Sequence, residues 1–390
     1  MTVKACLTCN QQLVGTVLAV QANYYKVRLD WEAQQKLPRE TEPGVRQVNS
    51  STLGEAALWA STPLLSSSSQ TPVLLCTRRT RLKKIGQQVM VGDRVIVEEP
   101  DWAGTRGAIA QVLPRKNQLD RPAIANVDQI LLLFAVADPP LEIYQLSRFL
   151  VKGESTGLHL VLSFNKSDLI TEQQKVEINQ RISSWGYKPI FISVSESINI
   201  DYLASFLGQR ITVVAGPSGV GKSSLLNAFI PNLNLRVGKV SAKLGRGRHT
   251  TRHVELFELP KGGLLADTPG FNQPDLDCTP EELGNYFPEI RERLAIASCR
   301  FSNCLHRNEP GCVVQGNWER YEHYLQFLEE AIARQTQLHQ QGDPEPTMKL
   351  KTSKQGQTQY EPKLETKKYR RRSRRTQLQE LEQWYREDEE

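Results

Sequence analysis

The sequence predicts a multidomain chain: a small N-terminal β-barrel, a central α/β domain on a parallel sheet, and a helical C-terminal part rich in metal-ligand residues. Three observations predict it. Short alternating segments separated by turn residues fill the first third. Nearly continuous apolar runs fill the middle and mark strands buried on both faces. Past Pro280 the pattern turns helical, and three cysteines and a histidine crowd together. At 390 residues the chain has room for more than one core, at roughly 150 residues per domain.

The barrel is expected over roughly 10–115. Residues 13–30 alternate apolar and polar and are rich in Val and Tyr, which predicts two strands with a turn at Ala22-Asn23. Residues 36–72 are poor in aromatics and contain the run Ser66 to Ser69, which predicts a long mobile insertion. Strand patterning returns at Val73–Thr77, Arg94–Glu98 and Gly107–Leu113, with turns at Gly92-Asp93 and Ala103-Gly104. Parallel-sheet strands are expected at Ile130–Ala137, Leu158–Phe164, Ile190–Val194, Ile211–Ala215 and Gly263–Ala266. Residues 317–339 repeat aromatics and Leu at three- and four-residue steps, an amphipathic helix. The rest, 341–390, is expected to be a basic, disordered tail with room for a short helix over Gln377–Arg386.

Composition narrows the class. With 39% hydrophobic and 24% charged residues the chain is globular. No run of about 18 apolar residues occurs, which excludes a transmembrane helix. Met1 to Leu13 lack a secretory apolar core, so a cytoplasmic location and no membrane partner are expected. The net charge of +6 is unevenly spread. Between Lys349 and Arg375 stand 11 Lys/Arg against 2 Asp/Glu, so the remainder is slightly acidic. The cysteines number seven, an odd count that argues against a disulfide framework and for a metal site.

Gly216, Pro217, Ser218, Gly219, Val220, Gly221, Lys222 and Ser223 fit G-x-x-x-x-G-K-[ST] without mismatch, between an apolar strand and a helix that begins at Ser224. Glycines let backbone N–H groups turn inward around phosphates, and the helix N-terminus adds its dipole. Lys222 is expected to reach the β- and γ-phosphates, and the Ser223 hydroxyl to hold Mg²⁺. Asn165, Lys166, Ser167 and Asp168 end a strand, where open α/β sheets bind ligands. A carboxylate there accepts from guanine N1–H and the 2-amino group, which adenine cannot match. This selects GTP over ATP and disfavours an ATP-using kinase. Ser193-Val194-Ser195 is a weaker candidate for backing the base.

Asp267-Thr-Pro-Gly270 offers a carboxylate to Mg²⁺ through water and the Gly270 N–H to the γ-phosphate. Thr250 and Thr251 follow the basic stretch Gly245 to His249, and either is a Mg²⁺-ligand candidate in a γ-phosphate-ordered switch. GTPases usually run phosphate loop, Thr switch, D-x-x-G, N-K-x-D. Here N-K-x-D comes first, so the GTPase domain is circularly permuted. Joined termini and new ends preserve the sheet, because termini lie at the surface. Phe271 follows Gly270 and cannot orient a water. His249, beside the Thr candidates, is the candidate for that role.

Cys299-x4-Cys304-x-His306-x5-Cys312 supplies a closed Cys₃His set suited to one structural Zn²⁺, with no open position. Cys6-x2-Cys9 is a lone pair without a second half, and Cys76 and Cys278 are expected to be plain core or loop cysteines.

Together these residues resemble the small ribosomal subunit biogenesis GTPases, the RsgA (YjeQ) family. The resemblance covers roughly 10–335. It rests on the permuted order, Arg121 to Gln129 at the domain junction, Gly247-Arg-His-Thr-Thr251, and the Cys₃His set with Glu309-Pro-Gly-Cys312. It implies an oligonucleotide-binding (OB) barrel over 10–115, a permuted GTPase over 121–280, and a helical zinc domain over 281–340. It implies a GTPase of late small-subunit maturation that binds the subunit and its rRNA near the decoding region and is stimulated by it. A monomer is the expected state. Arg78, Arg79, Arg81, Lys83 and Lys84, with Tyr24 or Tyr25 for stacking, form the barrel's candidate RNA face, and the basic tail adds sequence-independent affinity. The other reading is a GTP-gated RNA- or ribosome-binding adaptor in which hydrolysis is incidental.

Overall fold

The computed structural model describes residues 13–30, 72–120, 122–230, 254–260, 262–267, 275–340, 348–352 and 358–362. Cys6, Cys9, positions 36–71 of the insertion, His249, Thr250, Thr251, Gly270, Phe271 and the 377–386 segment lie outside the described residues.

The barrel is built from β1 (Leu13–Gln21), β2 (Tyr24–Leu29), β3 (Val73–Arg78), β4 (Arg94–Asp101) and β5 (Arg106–Val112), with a short helix α1 (Thr80–Lys84) between β3 and β4. The strand order is β1-β2-β3-β5-β4, and β4 pairs back onto β1 to close it. Closure removes free edges from a short-stranded sheet. Inward residues of every strand (Val17, Val27, Leu74, Val95 and Ile109 among them) make one core, so the alternating sequence pattern is the barrel's inside and outside.

A short hairpin, β6 (Gln118–Asp120) with β7 (Ala123–Ala125), leads into the central sheet. That sheet is assembled from β8 (Gln129–Ala135), α2 (Ile143–Glu154), β9 (His159–Asn165), α3 (Glu172–Ser184), β10 (Ile190–Phe191), α4 (Ile200–Leu207), β11 (Ile211–Ala215), α5 (Lys222–Phe229), β12 (Glu255–Glu258) and β13 (Leu264–Asp267). Its order is β10-β9-β8-β11-β13-β12, parallel except for the antiparallel edge strand β12. All seven residues of β8 are buried. Ile130, Leu132 and Phe134 pack with Leu146, Phe149 and Trp185 on one face, while Leu131, Leu133 and Ala135 pack with Leu203, Leu225 and Leu226 on the other. That double burial is why the strand reads as a continuous apolar run.

Barrel and sheet share structure. Ala19 of β1 pairs with Glu255 of β12. Leu18 and Val91 of the barrel sit in one core with Ile124 and Val127 of the junction and Val213, Leu256 and Leu264 of the sheet. Beside it, the buried Asp93 carboxylate accepts from Arg115 Nε (2.7 Å), Arg115 Nη2 (3.0 Å) and the Met90 N–H (2.7 Å).

The helical part comprises α6 (Pro280–Leu283), α7 (Pro288–Ile296) and α8 (Tyr321–Gln340). A capping box at Thr279 with Glu282 and a proline at the first turn start α6. Arg320 is fully buried and forms a two-pronged pair with Glu289 at 2.8 and 2.7 Å. Its guanidinium carbon lies 4.9 Å from the Trp185 ring centre and 4.7 Å from that of Phe287. Trp185 Nε1 donates to Glu319 at 2.8 Å, and Arg291 reaches Glu154 at 2.9 Å. The α2–α3 face of the GTPase domain thus carries the start of α8.

The chain divides into two compact units between Phe327 and Leu328. Within the second, β14 (Met348–Thr352) pairs antiparallel with β15 (Thr358–Pro362), Leu350 opposite Tyr360. These two strands are the described part of the stretch beyond position 341, the rest of which lies outside the described residues. None of the described helices is long and apolar enough to cross a membrane.

Removing the carboxylate opposite Arg320 leaves a buried charge without its partner. Glu289→Ala is expected to cost about 3–5 kcal/mol, whereas Arg291→Ala, at a more exposed pair, costs under about 1 kcal/mol. Urea unfolding followed by tryptophan fluorescence distinguishes the two.

Candidate functional site

The phosphate loop leaves β11 at Ala215 and enters α5 at Lys222. Gly216 has φ +145°, and a Cβ there would lie 2.0 Å from the Leu133 carbonyl oxygen of β8. Only glycine lets the loop lie this close to the sheet. Gly221 has φ +99°, and a Cβ there would lie 2.3 Å from Asn165 Nδ2. Val220 and Pro217 are buried, whereas Ser218 and Gly219 are exposed at the loop's tip. Lys222 Nζ donates to the carbonyls of Gly216 (2.8 Å) and Pro217 (2.6 Å), which places the ammonium inside the loop's curve. Ser223 and Ser224, half-buried, begin α5.

Asn165 ties three segments together. Its Nδ2 donates to the Val220 carbonyl at 2.8 Å, and its Oδ1 accepts from the Val194 N–H at 3.2 Å. The buried amide therefore links N-K-x-D, the phosphate loop and the Ser193–Ser195 loop, with both ends satisfied. Lys166 has φ +62°, and Ser167 N–H donates to the Ile192 carbonyl at 3.0 Å. That turn leaves Asp168 exposed at the carboxyl edge of the sheet. Ser193 Oγ lies 3.0 Å from Ser195 Oγ and accepts from the Glu196 N–H at 3.1 Å. Sequence reasoning missed Asp138, whose carboxylate stands 3.5 Å from Lys166 Nζ and whose carbonyl accepts from it. Its place just past β8, at the same sheet edge, was the available signal. Asp267 ends β13, and its backbone stands opposite Glu255. Gly270, Thr250, Thr251 and His249 are outside the described residues.

In the helical part, Cys299, Cys304, His306 and Cys312 bring four donor atoms within 4.8 Å of one another. His306 Nδ1 is 3.6 Å from each of the three sulfurs, and the Cys299 and Cys312 sulfurs are 3.9 Å apart. A tetrahedral ion with Zn–S of about 2.3 Å and Zn–N of about 2.0–2.1 Å requires edges of about 3.6 and 3.8 Å. The donor set fits zinc, with Nδ1 as the histidine ligand. Burial pushes the Cys304 thiol up to about 12 and holds His306 below its ordinary value. A thiol this reluctant to ionise needs a cation to become a thiolate.

The loop around these ligands is held from outside. Glu309 accepts from the N–H groups of Leu305 (2.9 Å) and Arg307 (2.7 Å). Burial raises its carboxyl, but the backbone donors outweigh that and hold it below the ordinary value. Tyr321 donates to the His306 and Arg307 carbonyls and Tyr324 to that of Leu305, at 2.7–2.9 Å. These supports are of the kind that orient metal ligands. The sequence contained Glu309 but not its role.

The basic face expected on the barrel is narrower than the sequence suggests. Arg78 donates to the Gln87 carbonyl at 2.7 Å, and Arg79 pairs with Glu98 (3.1 Å) and Glu99 (2.8 Å). Arg81, Lys83 and Lys84 lie exposed on α1. Tyr25 is 5% exposed and belongs to the barrel core, whereas Tyr24 is 50% exposed.

A phosphate loop on a parallel sheet, entered after N-K-x-D, with a closed barrel before it and a Cys₃His cluster after it, defines a circularly permuted GTPase. The sequence model of the RsgA GTPase family matches residues 112–277. The small ribosomal subunit biogenesis GTPase RsgA of Trichormus variabilis is 68% identical over 378 residues, covering 97% of this chain and 98% of that protein. The structure of YjeQ from Thermotoga maritima matches with a TM-score of 0.63 at 30% identity, over 83% of this chain and 99% of that one. YloQ, described as a circularly permuted GTPase, matches with a TM-score of 0.62 at 29% identity, over 84% and 98%. The chain belongs to the RsgA family of small ribosomal subunit biogenesis GTPases.

Three outcomes follow from this geometry. Gly216→Ala is expected to abolish binding of a fluorescent GTP analogue at micromolar protein, because its Cβ meets backbone rather than a movable side chain. Cys304→Ser is expected to lower zinc content from one ion per chain to near zero by elemental analysis. Loading displaces thiol protons, so zinc affinity of the unaltered protein falls as pH falls, which a chelator competition at pH 8 and pH 6 measures.

Proposed function

We propose that the protein is a GTP hydrolase of late small-subunit maturation, which binds the small ribosomal subunit and its rRNA near the decoding region and is stimulated by it. The observation that carries this reading is the convergence of N-K-x-D, the phosphate loop and the Ser loop on the Asn165 amide, in a chain closely similar to proteins of that name.

Each group has a part in the chemistry. The N–H groups of Ser218 to Ser224 cradle the phosphates, and Lys222, already inside the loop, neutralises charge that builds on the β- and γ-phosphates. Asp168, with Lys166 along the base, selects guanine, and Asn165 keeps the base side and the phosphate side in register. Ser223, Asp267 and Thr250 or Thr251 hold Mg²⁺, which offsets the negative charge shared by the phosphate oxygens. Gly270 offers its N–H to the γ-phosphate. The Phe271 side chain has no polar atom to orient water, and His249 takes that role. Zinc on Cys299, Cys304, His306 and Cys312 is structural, because four protein ligands leave no open position. The working units are the barrel over 10–115, the GTPase over 121–280, the zinc domain over 281–340 and the basic tail over 341–390. The protein acts as a monomer in the cytoplasm. RNA contacts fall to Arg81, Lys83, Lys84 and Tyr24 on the barrel and to the tail's cations.

The adaptor reading, in which GTP gates RNA binding and hydrolysis is incidental, is favoured by Phe271 alone. GTP turnover against added small subunits separates the two, with Lys222→Ala as the blank. The hydrolase reading expects stimulation of at least about tenfold, lost in His249→Ala with subunit binding intact; a flat response supports the adaptor. Deleting the residues after Gly342 is expected to flatten the salt dependence of subunit binding, since fewer cations meet phosphate.

A further inference from the structure

In chain order β12 falls between Thr251 and Asp267, two residues of the proposed magnesium site. Thr251 lies four residues before Glu255, and β13 ends at Asp267. Glu255 is the direct cross-strand neighbour of Asp267 on one side and of Ala19 of the barrel on the other. The pairing of β1 with β12 is short, a single residue pair, and ion pairs extend it. Lys26 Nζ reaches Glu255 at 3.2 Å, and Arg28 reaches Glu258 at 3.0 Å, both cations coming from β2. The outer edge of the strand pair that carries Asp267 is thus held by the barrel, and Leu18 and Leu256 share the core directly beneath.

From this ladder we infer that the barrel is a positioning element for the nucleotide site: Lys26 and Arg28, through Glu255 and Glu258, set the placement of β12 and β13 and so of Asp267. RNA held on the barrel and Mg²⁺–GTP held on the sheet then share one element. Coupling of this kind is reciprocal: whatever factor RNA exerts on nucleotide affinity, the nucleotide exerts on RNA affinity. The route runs through the N-terminal barrel, in addition to any path from Asp267 onward to the helical part. The inference rests on the proposal that the protein binds small subunits.

Charge reversal tests it. The Lys26–Glu255 pair is about one-third exposed on each side, so reversing it costs little stability, and Arg28–Glu258 remains to hold the fold. Affinity for a fluorescent, non-hydrolysable GTP analogue is measured with and without purified small subunits. The proteins compared are the unaltered chain, Lys26→Glu, Glu255→Lys and the double reversal. Subunits are expected to tighten the analogue about tenfold in the unaltered chain, within the usual range of allosteric factors. The factor should fall towards one in each single variant, with subunit co-sedimentation in the absence of nucleotide unchanged, and return in the double. Single variants that keep the full factor overturn the inference, as does a double that fails to regain it. An unaltered chain that binds subunits with a factor of one also overturns it while leaving the hydrolase reading standing. A chain that binds no subunits overturns both.

Discussion

The phosphate loop lies so close to the central sheet that a single methyl group at position 216 would collide with the backbone of β8. Much of the nucleotide site follows from that approach. It puts the loop's Val220 carbonyl within reach of the Asn165 amide at the end of β9, which also holds the Val194 N–H, while Lys222 folds back onto the loop's own carbonyls. β8, the strand the loop approaches, is fully buried, with β9 and β11 paired on its two sides. Permutation leaves this intact. The chain order of the motifs differs from the usual one, yet their neighbours in the sheet are what phosphate and base recognition demand.

Around this centre the two flanking parts attach by different physics. The barrel joins through strand pairing, a shared apolar core and partly exposed ion pairs. Such contacts tolerate small shifts. The helical part joins through a buried guanidinium between aromatic rings, with its carboxylate fully engaged. That arrangement tolerates little, since any displacement strands a charge in an apolar setting. One neighbour can therefore respond to the nucleotide while the other acts as a fixed support.

Much of this was legible in the sequence. Strand positions were visible because β8 and β11 are buried on both faces and the barrel strands on one. The phosphate loop, Asn165 to Asp168 and the Cys₃His set were visible because their chemistry demands fixed residue types at fixed spacing. What could not be read depends on long-range partners. Nothing local distinguishes Arg320 from a solvated arginine; its burial is set by Trp185 and Phe287, remote in the chain. The same holds for Arg79, a candidate RNA contact whose pairing with Glu98 and Glu99 no local pattern announces. β12 is only four residues long and escapes periodicity altogether.

The buried Arg320 also imposes an order of events on a chain made from its N-terminus. Trp185 and Tyr187, which face the guanidinium, emerge from the ribosome well before Arg320 does, and the GTPase core they belong to can close without it. The helical part lacks such independence: of the three rings that face the Arg320 guanidinium, Trp185 and Tyr187 belong to the platform and Phe287 to the helical part itself. Synthesis from N to C therefore delivers the platform first and the dependent piece last. A chain cut short before Glu319 would lose the piece but keep its seat.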